Sequence, residues 1–166
     1  IEEVITQTEN LTKGKEKIIN FISRNYAEFS IDFLNEIELE KIKSELLKFT
    51  EDTIRKEQLL SKVKSVNFGI FESNENNFLI YFCATSNGIE DEDWACEPEY
   101  FPKNYLKLHE FETVSSELKK YKGDISEIEQ LVINGFVNLV LKNSFTELEK
   151  LIGLKNIGSG FDSGDI

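Results

Sequence analysis

Few residues in this chain are equipped for nucleophilic, acid–base or metal chemistry, and their spacing matches none of the usual catalytic arrangements. His109 is the only histidine, so a catalytic triad or a cysteine–histidine pair would have a single candidate base. Cys83 and Cys96 are the only cysteines and lack the closely spaced pairs that hold zinc. Cys83 also lies in an apolar run, which is typical of an unreactive buried thiol. We therefore expect no catalytic residue and no metal.

Calcium and phosphate sites are disfavoured for similar reasons. An EF-hand loop needs glycine at its sixth position and glutamate at its twelfth, whereas the acidic stretch Glu90–Phe101 has Ala95 and Phe101 there. Gly158-Ser159-Gly160 lacks the lysine and the helix that follow in a phosphate-binding loop. No cofactor is expected. A glycosidase-type pair of carboxylates stays open, because the chain has 31 acidic residues and nothing selects one pair.

The charge distribution is the most informative feature of the sequence. The formal net charge is −12 at pH 7, and residues 65–102 contain eight acidic residues with no lysine or arginine. Two-thirds of the net charge therefore lies in this one stretch. A protein that binds nucleic acid must neutralise phosphates with basic side chains, so we expect no nucleic-acid partner. A basic protein is the natural counterpart of such a charge.

Within that stretch, the segment from position 90 to position 101 mixes six acidic residues with three aromatic ones. Aromatic anchors beside charged side chains are typical of a binding patch. The alternative is a solvated acidic loop whose Trp94, Tyr100 and Phe101 simply fold back onto the core. The predicted partner-binding residues are Glu90, Asp91, Glu92, Asp93, Trp94, Glu97, Glu99 and Tyr100.

Hydrophobic spacing predicts the elements that position this loop. Helical three- and four-residue steps occur from Lys15 to Phe29, over residues 35–49, and over residues 51–62 after a capping Thr50. Later helices are predicted over residues 113–121, 126–143 and 145–152, the last two opened by Ser-x-x-Glu capping boxes at Ser126 and Ser144.

The period changes to two in the middle of the chain. Val66, Phe68 and Ile70 alternate along one predicted strand, and residues 78–84 are apolar on both faces, as in a central strand. A weaker third strand is predicted near residues 106–111. The order predicts an α+β fold, an antiparallel sheet of three or more strands with N-terminal and C-terminal helices packed on it.

Length and composition predict a single domain over residues 1–166, with a frayed start at 1–14 and a glycine-rich tail at 153–166 that forms a loop or an edge strand. The longest apolar run has about seven residues against the roughly 20 of a spanning helix, so no membrane association is expected. The absence of Met and the large Ile1 predict a trimmed chain. Two unpaired thiols in a cytoplasmic protein are expected, with a disulfide as the alternative.

A family resemblance points in the same direction. The stretch 66–71, the strand end Cys83-Ala84-Thr85-Ser86-Asn87 and the pair Asp93-Trp94 resemble a group of bacterial domains with an aromatic hairpin and an acidic loop. Those domains resemble immunity proteins of polymorphic-toxin and contact-dependent inhibition systems. The resemblance implies a cytoplasmic protein that binds and neutralises one basic toxin without catalysis.

The sequence thus predicts a non-catalytic acidic binding protein, an immunity or inhibitor protein for a basic bacterial toxin. Two alternatives stay open at this point. One is an enzyme or small-ligand-binding domain with an unrecognised site, which a deep pocket around His109 would favour. The other is a structural adaptor module with an ordinary acidic loop.

Overall fold

The computed structural model describes residues 10–59, 63–73, 78–86, 99–101, 103–153 and 156–161 of the chain. These residues form an α+β fold in which five α-helices and one 3₁₀ helix accompany a four-stranded sheet. In chain order the elements are α1 (Leu11–Asn25), the 3₁₀ helix (Asp32–Glu36), α2 (Leu39–Glu57), β1 (Ser65–Glu72), β2 (Phe78–Thr85), β3 (Leu106–Lys107), α3 (His109–Leu118), α4 (Ser126–Asn143), α5 (Phe145–Ile152) and β4 (Asn156–Phe161).

The sheet has the strand order β3-β2-β1-β4. β1 and β2 pair antiparallel from Ser65 opposite Thr85 to Glu72 opposite Phe78, as predicted for a hairpin. The glycine-rich tail forms the edge strand β4, and this strand runs parallel to β1. The sheet is therefore mixed and mostly antiparallel. Three helices separate β1's hairpin from β4, and a parallel pair needs such a long crossover.

The alternation of β1 decides which face of the sheet meets the helices. Val66, Phe68 and Ile70 are fully buried in the main hydrophobic core, as predicted. β2 lies inside the sheet and contributes Ile80 and Phe82 to the same core, which confirms the predicted central strand. Residues at the intervening positions point to the opposite face, which we call the outer face of the sheet.

α4 is the central helix of the core. Its predicted stripe is confirmed, since every member is buried except Leu131, which is half-buried. The helix packs against α1, α2, α3 and α5 and also contacts β4. Buried Gly135 belongs to the same helix. The stripe consists of Ile128, Leu131, Val132, Phe136, Leu139 and Val140.

One predicted helix boundary is wrong. The two helices predicted over residues 35–49 and 51–62 are the single helix α2, and Thr50 lies inside it instead of capping a new one. The Thr50 hydroxyl is buried and donates to the carbonyl of Leu46 at 2.8 Å. A threonine can satisfy its hydroxyl in this way one turn back along its own helix, so it does not need to end the helix.

Both predicted capping boxes are also absent. Ser126 is the first residue of α4, and its backbone N–H and hydroxyl donate to Asp124 at 2.9 and 2.7 Å. Ser144 donates its hydroxyl back to Val140 at 2.7 Å. At the start of α1, the side chain of Asn10 does form an N-cap and accepts from the backbone N–H of Lys13 at 2.9 Å.

The remaining boundaries shift by a few residues. The third strand is only Leu106–Lys107, and α3 begins at His109 inside the stretch predicted as strand. The start of α1 at Leu11 replaces part of the predicted frayed segment with helix, while residues 1–9 lie outside the described part of the chain.

Candidate protein-binding site

Most of the predicted binding loop falls outside the described residues. Among the eight predicted partner-binding residues, the structure describes Glu99 and Tyr100. These two stand where the chain returns to the sheet after residues 87–98. The other six predicted residues, which the structure does not describe, are Glu90, Asp91, Glu92, Asp93, Trp94 and Glu97.

Glu99 joins the two ends of the loop. Its carboxylate accepts from the hydroxyl of Ser86 at 2.7 Å and from the backbone N–H of Ser86 at 3.1 Å. The Ser86 hydroxyl, the Ser86 backbone N–H and the nearby charge of Lys64 together hold the pKa of Glu99 below its usual range. The carboxylate is therefore ionised at neutral pH, and Ser86 and Glu99 stay in contact.

Tyr100 attaches the returning chain to the sheet. Its backbone forms an antiparallel bridge with Ala84, through hydrogen bonds of 3.0 and 3.2 Å. The ring packs on the core beside Phe82, with ring centroids 5.9 Å apart. The hydroxyl is buried without a hydrogen-bond partner, and burial raises the tyrosine pKa, with the negative charge of Glu57 adding to the effect. Tyr100 thus folds back onto the core, as the alternative interpretation of the loop expects for it.

A cluster of aromatic rings lies on the outer face of the sheet, next to the returning chain. Tyr105 is 54% exposed, and its ring meets Phe71 and Tyr81 edge-on with centroids 5.2 and 6.5 Å apart. Phe71 and Tyr81 are in turn 5.9 Å apart. Tyr81 lies over Gly69, where any side chain would collide with its ring. We call Phe71, Tyr81 and Tyr105 the aromatic platform.

Sequence reasoning missed Tyr105. The residue falls between the acidic loop and the short strand β3, in a stretch without a clear period. β2 and β3 pair with Ile80 opposite Leu106, and the ring of Tyr105 lies 6.5 Å from the ring of Tyr81. Contact between Tyr105 and Tyr81 depends on how distant parts of the chain pair in the sheet. The only sequence signal of the aromatic cluster was therefore the presence of a tyrosine at position 105.

His109 stands apart from both features. It occupies the first turn of α3 with its side chain 77% exposed, and its Nδ1 lies 3.3 Å from Glu112 Oε2. The same carboxylate group accepts from Lys107 at 2.7 Å, and these two contacts lower the pKa of Glu112. His109 does not line the cleft beside β4 that is described below.

The cysteines are only partly described. Cys83 is buried on the outer face of β2, and its Sγ lies 3.7 Å from the backbone carbonyl of Asn67. Cys96 lies outside the described residues, so the predicted absence of a disulfide stays a prediction. Over the described ranges, no group of three or more histidine, cysteine or acidic side chains could hold a metal ion.

A small cleft opens beside β4. Its volume is about 240 Å³, and its walls include the ring of Phe145 and the side chain of Ile157. Lys142, Asn138 and Ser159 supply polar groups, with the Ser159 hydroxyl donating to the Asn138 carboxamide. The cleft combines apolar walls with a few polar groups, as small-molecule sites do, although it is smaller than most.

Comparisons with family models, with curated proteins and with solved structures found no match for this chain. Each helix in the described part of the chain is too short or too polar to cross a bilayer.

Proposed function

We propose that the chain is a non-catalytic acidic binding protein that neutralises a basic protein, an immunity or inhibitor protein for a bacterial toxin. The support begins with charge. The net charge of −12 is concentrated in residues 65–102, which carry no lysine or arginine. Like charges placed this close repel one another, and a cationic partner relieves that repulsion.

The observation that carries the proposal is the closure of the acidic loop by Glu99 and Tyr100. Ser86 and Glu99 are hydrogen-bonded, and Ala84 pairs with Tyr100, so the segment 87–98 leaves and returns at one end of β2. Covalent geometry then limits the reach of its acidic residues to about 20 Å from that point. The chain between the two joined ends contains five acidic residues and Trp94.

Two described lysines that follow the loop in sequence are paired with carboxylates outside it. Lys103 lies 3.3 Å from Glu57, and Lys107 lies 2.7 Å from Glu112. Each of these cations is matched by a carboxylate of its own. Lys64, whose charge helps to lower the pKa of Glu99, stands against the six acidic residues at positions 90–99. The net charge of the loop is therefore negative, and a negative field would steer a basic partner toward it.

The toxin class of the partner and a cytoplasmic location follow from the family resemblance. An immunity protein acts where its toxin would act and works by covering the toxin, so it needs binding residues and no catalytic ones. The side chain of His109 is 77% exposed, which is in keeping with this role.

The test is titration with the basic protein encoded next to this gene. We expect tight binding whose association rate falls with added salt, because charge steering is screened by ions. Asp91→Asn with Asp93→Asn should lower mainly the association rate. Trp94→Ala should raise the dissociation rate and cost about 2–4 kcal/mol of binding free energy, as expected for a central anchor.

The matched control removes two acidic residues elsewhere. Asp32→Asn with Glu36→Gln changes the net charge by the same amount at exposed positions of the 3₁₀ helix. If this control slowed association as much as the loop variant, general charge would explain the binding. Unchanged affinity in both loop variants, with the protein still folded, would contradict the proposed site.

A small-ligand-binding domain is the second candidate, and the cleft beside β4 is the observation that favours it. A thermal-shift screen of small carboxylic acids tests this candidate, because ligands that bind only the folded state raise Tm. A shift that Phe145→Ala abolishes would support a site in the cleft.

A further inference from the structure

We infer that the aromatic platform receives an arginine side chain of the basic partner, stacked on the exposed ring of Tyr105. This inference rests on the proposed function, since it names a second contact for the same basic protein. It adds a surface that the acidic loop does not include.

The first support is that the platform lies close to the base of the acidic loop. Tyr100 pairs with Ala84 at one end of β2, and the ring of Tyr105 lies beside that of Tyr81, which is three residues from Ala84 along the same strand. Three strand residues span about 10 Å. The platform therefore lies on the same edge of the sheet as the closed end of the acidic loop, within the footprint of one protein partner.

The second support is that neighbouring rings already hold the ring of Tyr105 in place. A free tyrosine side chain loses rotational freedom when it binds, and that loss weakens binding. Tyr105 is already held between Phe71 and Tyr81 by two edge-on contacts, although more than half of its surface is exposed. The ring therefore offers a preorganised face.

Charge complementarity selects the occupant. The face of an aromatic ring attracts cations, and arginine stacks on it more often than lysine does. Phe71 and Tyr81 belong to the segment 65–102, which has eight acidic residues and no basic ones. The two lysines that flank Tyr105 in sequence, Lys103 and Lys107, are each paired with a carboxylate. The charges of these two lysines are therefore matched, and the excess charge of the segment to which Phe71 and Tyr81 belong is negative.

The experiment measures binding of an octa-arginine peptide at low salt to the wild-type chain and to variants. Tyr105→Leu should weaken binding about two- to fivefold, the effect of losing one exposed cation–π contact, whereas Tyr105→Phe keeps the ring and should bind like the wild type. The matched control is Tyr26→Leu, which removes a partly exposed tyrosine at the end of α1 and should leave peptide binding unchanged.

An NMR measurement separates stacking from general attraction. Arginine side-chain protons above a ring shift upfield, so the bound peptide should show such shifts with the wild type and lose them with Tyr105→Leu. Absence of binding by the wild type, absence of the shifts, or equal affinity of Tyr105→Leu and the wild type would overturn the inference.

The acid variant keeps this inference distinguishable from the proposed function. If Asp91→Asn with Asp93→Asn weakens binding of the adjacent-gene protein while Tyr105→Leu leaves both ligands unaffected, the platform is rejected and the proposed function stands. If Tyr105→Leu weakens peptide binding but the adjacent-gene protein does not bind at all, the platform stands as a guanidinium site and the proposed function fails.

Discussion

At position 69, a Cβ atom would overlap the ring of Tyr81, at its Cζ and Cε1 atoms. The ring cannot easily move away, because Tyr81 is buried and meets both Phe71 and Tyr105. Glycine at this position therefore sets how closely the platform sits on the sheet. The sequence shows that Gly69 lies on the face opposite Val66, Phe68 and Ile70, but the cross-strand ring above it depends on the hairpin register.

Gly69→Ala should destabilise the protein by about 1–3 kcal/mol, the usual cost of forcing an extra group into a packed place. The matched control is Gly160→Ala on β4, which pairs with Gly69 in the sheet but would place its Cβ in open space. Denaturant unfolding of both variants measures the difference. Equal effects would mean that strand propensity, and not the Tyr81 ring, determines the loss.

A double-mutant cycle isolates the contact itself. In a Tyr81→Ala background the ring is gone, so Gly69→Ala should lose most of its cost. A cost that persists in that background would contradict the overlap as its cause.

At the scale of elements, α4 shows where sequence reasoning is strong. Six apolar residues at helical spacing predict one buried face, and burial then needs only a neighbouring surface to pack on. The helix is confirmed from Ser126 to Asn143, and Phe136 is fully buried. The spacing of apolar residues predicts this helix correctly because that spacing reflects the geometry of the helix itself and not its partners.

Phe136→Ala should lower the free energy of unfolding by about 3–5 kcal/mol, as expected when a large aromatic ring is removed from a packed core. Phe145→Ala is the control, because Phe145 begins α5 with its side chain 41% exposed. It should cost far less. A loss below about 1 kcal/mol for Phe136→Ala, measured by denaturant titration, would show that the site collapses around the gap.

The ends of the helices were predicted less well, for a physical reason. A Ser-x-x-Glu pattern can place its serine as a cap, but the same hydroxyl can bond a carbonyl one turn back, as Ser144 and Thr50 do. The competing hydrogen bonds differ little in energy, so packing chooses between them. The parallel pairing of β4 with β1 likewise depends on where three helices bring the chain, which no local pattern encodes.

At the scale of the whole molecule, net charge is the property that the sequence predicts best. The excess of acidic residues and its concentration in residues 65–102 are read directly from composition. The candidate site was predicted less completely. The sequence predicts that Glu99 and Tyr100 contact a partner. In the structure, Glu99 bonds Ser86 and Tyr100 pairs with Ala84, so that both residues join the two ends of the loop. The platform went unpredicted because it is assembled from strands β1 and β2 and from Tyr105, the residue just before β3.

The same charge shapes how stability depends on pH. Hydrogen bonds and nearby cations lower the pKa of four acidic side chains, so their contribution is present above the unfolded-state value and is lost as pH falls through the folded-state value. Repulsion within a chain of net charge −12 works in the opposite direction and weakens as pH falls toward 5. The four side chains are Glu99, Glu112, Asp124 and Glu147.

Glu129, like the repulsion between negative charges, makes the protein more stable as pH falls. It lies in α4 with 5% of its surface exposed and one carboxylate oxygen buried without a partner, and burial raises its pKa. The folded state therefore holds its proton at pH values where the unfolded state has released it. Its contribution to stability is fully present below the unfolded-state pKa and is lost as pH rises through the folded-state pKa.

Glu129→Gln should thus stabilise the protein at pH 7.5 by about 1 kcal/mol, because it removes the cost of burying an unpaired charge, and should raise Tm by roughly 2–4 °C. Near pH 4 the native carboxyl is protonated, and the two proteins should unfold at similar temperatures. Glu149→Gln is the control, since it removes one negative charge from an exposed position on α5. Thermal unfolding of the three proteins from pH 4 to pH 8 separates the explanations: a gain that is equal at both pH values, or one that Glu149→Gln reproduces, would assign the effect to net charge and not to the burial of Glu129.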